Sequence, residues 1–131
     1  MKELVNPPAF VRFAERAISA HPEDEKFKLA AVIIQKNRRI SVGINYQFKT
    51  HPSCREFDPH KTVHAEINAI IRTVNKSQLK GATVVVYRQD NHGNPAMARP
   101  CHMCEKFLRK YGIVKMIYTN AKGTWSEEII G

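Results

Sequence analysis

Three side chains suited to a soft or borderline metal stand at two distant places in the chain: His64, and then Cys101 with Cys104. A single ion holding all three requires a fold that brings those two places together, and each lies at the start of an expected helix. Thr62 can cap the first, in which Ile67, Ile70, Ile71 and Val74 form one face. Pro100 can open the second, with Phe107, Leu108 and Tyr111 as its apolar face and Gly112 as its stop.

The remaining pattern supplies the frame. Asn6-Pro7 reads as the start of an earlier helix, carried by Phe10, Phe13, Ala14, Ala17 and Ile18 and ended by His21-Pro22. Residues 30–35 form an apolar, β-branched run. Lys36-Asn37-Arg38-Arg39 reads as a turn, and Ile40, Val42 and Ile44 alternate as the second arm of a hairpin. Residues 83–87 and 114–119 are two further strands. Residues 46–61 and 90–98 read as loops, and the tail through Trp125 and Ile130 shows no definite form. The order helix, strand, strand, helix, strand, helix, strand predicts an α/β fold. It is a three-layer α/β/α sandwich on a mixed sheet, with an N-terminal antiparallel hairpin followed by parallel strands. The alternating second half points to a largely parallel sheet. Residues 1–131 are expected to form a single domain, since the length suits one core and not two.

Three cysteines are an odd number, and the N-terminus has no long apolar run, so a disulfide framework is not expected. An intracellular, cytoplasmic protein with no membrane span is the expectation. The 21 Lys and Arg residues exceed the 12 Asp and Glu residues, a formal charge of +9. That excess suits polyanionic partners or phosphate-bearing substrates. The basic residues are spread from Arg12 to Lys122, with no dense arm.

His64-Ala65-Glu66 followed by Pro100-Cys101-His102-Met103-Cys104 is an H-x-E and P-C-x-x-C pair. Either half alone is weak. In order, each at a helix start, they are specific. Cys101 and Cys104 are three apart and face the same way. Two thiolates and one imidazole leave a fourth position for water, the arrangement of a catalytic zinc ion. Helix N-termini favour the thiolate forms. Glu66 is two residues from His64 and points elsewhere, so it can take a proton from that water and pass it to a ring nitrogen and a departing amine. A purely structural zinc site would need a fourth protein ligand, His102 or Glu66 itself. A thioredoxin-like dithiol would normally follow an early strand, whereas this pair lies late in the chain.

These residues resemble the cytidine deaminase-like superfamily over residues 30–120. The phrase His64-Ala65-Glu66-Ile67-Asn68-Ala69-Ile70 is most similar to its deoxycytidylate deaminase branch. The nucleoside branch usually has cysteine where this chain has His64. The stretch with Arg88, Gly93 and Arg99 is similar to small viral members, although the chain is shorter than is common. The resemblance implies hydrolytic deamination of a cytosine nucleotide, dCMP to dUMP, with Zn2+ as cofactor. It implies that Asn45 contacts base and sugar, that the Ala65 N–H meets the base carbonyl, and that the carbonyl near Pro100 accepts from the amine.

Several roles remain open. Arg55 and Arg99 are candidates for holding a phosphate, with Lys49, Lys61 and Arg88 as further basic residues near the site in sequence. Tyr118 either stacks on a base or fills the core, and Phe57 lines the pocket or anchors its loop. His51, Cys54 and His60 have irregular spacing for a second zinc site. A nucleotide is the expected small-molecule partner, and a homo-oligomer the expected assembly. The competing functions are deamination of cytosine or adenine within single-stranded DNA or RNA, and a non-catalytic zinc-binding module.

Overall fold

The computed structural model describes residues 2–20, 28–45 and 64–131. The strands are β1 (Lys2–Leu4), β2 (Lys28–Gln35), β3 (Arg38–Ile44), β4 (Thr83–Gln89), β5 (Pro95–Ala96), β6 (Lys115–Thr119) and β7 (Trp125–Ile129). The helices are α1 (Val11–Ala17), α2 (Ala65–Ile71) and α3 (His102–Lys110).

One sheet runs in the order β1-β7-β6-β4-β2-β3, with β5 added beside β4. Period-2 alternation sorts its central strands onto two cores. Ala31, Ile33, Val84, Val86, Met116 and Tyr118 face α2 and α3. Ala30, Val32, Ile34, Val85, Tyr87 and Ile117 face α1, where Val11, Ala14 and Ile18 cover them. This is the expected three-layer sandwich on a mixed sheet. The largely parallel pairing is corrected: among the described residues only β4 and β6 pair in parallel, and every other pair is antiparallel.

The hairpin β2–β3 closes on Lys36 and Asn37, with φ of 53° and 63°. These are the left-handed values of a two-residue turn whose twist suits the strands it joins. The turn is therefore shorter than the sequence pattern suggested, and Arg38 and Arg39 already belong to β3. The loop after β4 contains β5, and the tail forms β7, which Trp125 anchors at 5.9 Å from the Tyr87 ring. Helix α2 ends at Ile71, so Val74 leaves the helical register and is fully exposed rather than part of its apolar face. Helix α3 begins one residue after Cys101, which occupies the N-cap, so Pro100 precedes the helix rather than opening it. It ends as expected at Gly112, whose φ is +86°. The Ile113 N–H returns to the Leu108 carbonyl and the Gly112 N–H to that of Arg109, and these bonds satisfy the last carbonyls of the helix. Thr62, His21, Pro22 and the 46–61 loop lie outside the described residues.

Helix α2 lies unusually close to β3. A Cβ built on Gly43 would collide with the Ala65 carbonyl oxygen and the Ala69 backbone nitrogen. The contact is fastened by the Ser41 hydroxyl, which donates to the Ala69 carbonyl at 2.7 Å, and by Asn68 Nδ2, which donates to the Ile44 carbonyl at 3.0 Å. Glycine at 43 thus fixes the depth at which the helix behind His64 is seated. Gly43→Ala is expected to lower unfolding stability by about 1–3 kcal/mol, because backbone rather than a flexible side chain must give way. Denaturant titration checks this. An unchanged midpoint would show that α2 has room to shift.

Candidate metal centre

His64 is the N-cap residue of α2 and Cys101 the N-cap residue of α3, with Cys104 one turn on. Helices α2 and α3 pack on the same face of the sheet, which brings the two motifs together. His64 Nδ1 lies 3.2 Å from Cys104 Sγ and 3.9 Å from Cys101 Sγ. All three donor atoms lie within 4.8 Å of one another. A tetrahedral zinc ion, about 2.3 Å from sulfur and about 2.0–2.1 Å from nitrogen, would set each N···S pair roughly 3.6 Å apart. The two observed separations bracket that value, so the donor set fits zinc.

Cys101 is exposed and Cys104 is buried. Hydrogen bonds from the Cys104 thiol and from His64 push Cys101 down to about 4. Cys104 moves the other way: its proton is shared with Cys101, and burial and the neighbouring Glu66 also oppose its ionisation. A divalent cation removes that asymmetry, because it binds thiolates and releases their protons. Among the described residues no fourth His, Cys, Asp or Glu joins the group. His102 is exposed and does not belong to it.

Glu66 stands in the first turn of α2 and is 3% exposed. Burial raises its pKa, while a hydrogen bond with Cys104 and the charge of His64 pull it back down. Its carboxyl therefore sits beside the metal donors without being one of them. Ala65 is buried at the head of α2. Asn45 follows β3, where its Oδ1 accepts from the Leu29 N–H at 2.9 Å and its own N–H donates to the Leu29 carbonyl. Its side chain thus extends the hairpin beside the start of α2. Asn68 was not singled out from the sequence, yet it ties α2 to the end of β3. Its place in the His64 phrase was the only signal, because the Ile44 carbonyl it binds is 24 residues away.

Two of the candidate substrate contacts are engaged within the fold. Tyr118 is fully buried in the core beneath α2 and α3, and its hydroxyl donates to Glu128 Oε2 at 2.5 Å, so its ring fills the core instead of stacking on a base. Burial and the Glu128 carboxylate push its pKa up to about 12. Arg99 is already held by two carboxylates. Its Nε donates to Glu128 Oε2 at 2.7 Å, its Nη2 to Glu105 Oε1 at 2.7 Å, and its Nη1 to the Pro100 carbonyl at 3.1 Å. A guanidinium held in this way braces the loop before Cys101. Arg55, Lys49, Lys61, Phe57, His51, Cys54 and His60 lie outside the described residues.

An α/β/α sandwich with a His/Cys/Cys group at two helix starts, and a buried glutamate beside it, defines the zinc deaminase class. The chain belongs to the family described as the cytidine and deoxycytidylate deaminase zinc-binding region, whose model matches residues 6–120. Its fold is shared with a cytidine deaminase from Burkholderia pseudomallei, at TM-score 0.65 and 18% identity over 94% of this chain and 91% of that one. It is also shared with a dCMP deaminase from cyanophage S-TIM5, crystallised with dCMP and dUMP. That match has a TM-score of 0.58 and 19% identity over 86% of this chain and 79% of the phage chain. No curated protein sequence matches this chain. No helix among the described residues is long and apolar enough to cross a membrane.

The Arg99 brace has a pH signature. Arg99 holds the Glu128 carboxyl below its ordinary value of 4.5, and the Tyr118 hydroxyl adds to the effect. A depressed carboxylate stabilises the fold above its unfolded pKa, and that contribution disappears as pH falls through the folded value. Glu128→Gln is therefore expected to cost stability at neutral pH. The gap to the unmodified protein should close as unfolding is repeated at progressively more acid pH. A gap that is independent of pH would mean that the carboxylate charge contributes nothing.

Proposed function

We propose that the protein is a hydrolytic deaminase of a free cytosine nucleotide, converting dCMP to dUMP with release of ammonia. One observation carries the reading: a three-donor metal group with a fully buried glutamate against one of its thiols. A structural site has no use for that acid. His64, Cys101 and Cys104 would hold a zinc ion, which would supply the Lewis acidity that makes water a nucleophile near neutral pH. Glu66 takes a proton from the attacking water and delivers it to the ring nitrogen beside the carbon that carries the amine. It then carries the second water proton to that amine, which leaves as ammonia, while the carbon becomes a carbonyl. Burial suits Glu66 to this shuttle, since an elevated pKa brings its two protonation states closer in energy. The Ala65 N–H and the Pro100 carbonyl orient the base, and Asn45 lies on the sugar side. Arg55 takes the phosphate.

The nucleotide reading is supported by the His64–Ile70 phrase, which is most similar to the deoxycytidylate branch. The expected test uses Glu66→Gln. The variant should retain zinc and fold, and its ammonia release from dCMP should fall on the order of a hundred- to ten-thousand-fold. In competition, dCMP should be deaminated faster than cytosine in a single strand. Near-normal turnover by the variant would remove Glu66 from the mechanism, and preference for the strand would overturn the substrate assignment.

A further inference from the structure

We propose that a hollow between α1, the start of β3 and the end of α2 is a docking groove for single-stranded nucleic acid. The groove lies outside the metal centre and does not depend on which substrate is deaminated.

The hollow encloses about 830 Å³. Arg16 of α1, Arg38 and Arg39 of β3, and Arg72 at the C-cap of α2 all line it, and all are exposed. The sequence had shown basic residues scattered along the chain; the fold gathers these four. Elsewhere Arg99, Arg109, Lys115 and Lys122 each meet a carboxylate. Among the described residues none of the four groove arginines does. Like charges gathered with no ion-paired carboxylate among the described residues repel one another, and a polyanion relieves that repulsion.

Two features favour a nucleic acid strand over another anion. The Arg39 guanidinium sits 5.6 Å from the Phe13 ring centroid, a cation–π contact on a half-exposed ring at the groove wall. A neighbouring hollow of about 470 Å³ shares Phe13 and adds Phe10. Basic grooves edged by aromatic rings are how proteins hold single strands, with phosphates on the cations and bases on the rings. The alternative use of charge at this edge, blocking pairing of β3 with another sheet, needs only Arg38 and Arg39. It leaves Arg16 and Arg72, from two helices, unexplained. The hollow runs along β3 to Ile44, whose carbonyl binds Asn68 of α2. Arg72 lies at the opposite end of α2 from His64, roughly 12 Å along the helix.

The test is fluorescence anisotropy of a labelled oligothymidylate of about ten nucleotides with the full zinc-loaded chain. Four arginine–phosphate contacts predict that log affinity falls with log salt with a slope of about −3. Arg38→Glu combined with Arg39→Glu should weaken binding by about tenfold or more, with zinc content and unfolding midpoint retained. Phe13→Leu, which keeps every charge, should weaken it about fivefold or more. Charge reversal without effect in a folded variant overturns the proposal. So does duplex DNA or polyglutamate binding as tightly as the single strand, because a general anion surface has no need of Phe13.

Discussion

The seating of α2 against β3 at Gly43 is the constraint on which the centre depends. A zinc site tolerates little error in donor position, and His64 is the residue on which α2 begins. The helix is placed by backbone contact where a side chain would collide, and by two hydrogen bonds from Ser41 and Asn68. Backbone contact is stiffer than side-chain packing. The imidazole is therefore located by the sheet itself, and Glu66 is carried to its buried position by the same turn.

The second half of the centre is placed differently. Cys101 caps α3 and Cys104 stands in its first turn; the helix's C-terminal end is fixed at Gly112 and its approach loop is braced by Arg99. That brace reaches Glu105 on α3 and Glu128 on β7, and Tyr118 of β6 holds Glu128 from the core side. The last strand of the sheet thus contributes to the position of the metal loop, although it supplies no ligand. Two independent supports meet at the donor atoms, one through close helix–sheet packing and one through a charged network.

Much of this was legible in the sequence because its signals are local. The β-branched run in β2, the alternation in β3 and the stop at Gly112 each depend on neighbours in the chain. The metal donors were legible because their spacing is itself the chemistry. The strands β1, β5 and β7 were not legible. They are two to five residues long, and Trp125-Ser126-Glu127-Glu128-Ile129 carries no strong β pattern until β6 offers an edge to pair with. The sequence left the roles of Arg99 and Tyr118 open for the same reason: their partner Glu128 is 29 and 10 residues away. The arginine groove was invisible because its residues come from three elements that only the fold brings together.

The account stands on three protein donors, His64, Cys101 and Cys104, with the Glu66 carboxyl beside them. X-ray absorption at the zinc edge of the purified protein measures this directly. Two sulfur neighbours at about 2.3 Å, one imidazole nitrogen at about 2.0–2.1 Å and one further light oxygen neighbour are predicted. A shell closed by a fourth protein ligand, a third sulfur or a second imidazole, would make the site structural and contradict the account.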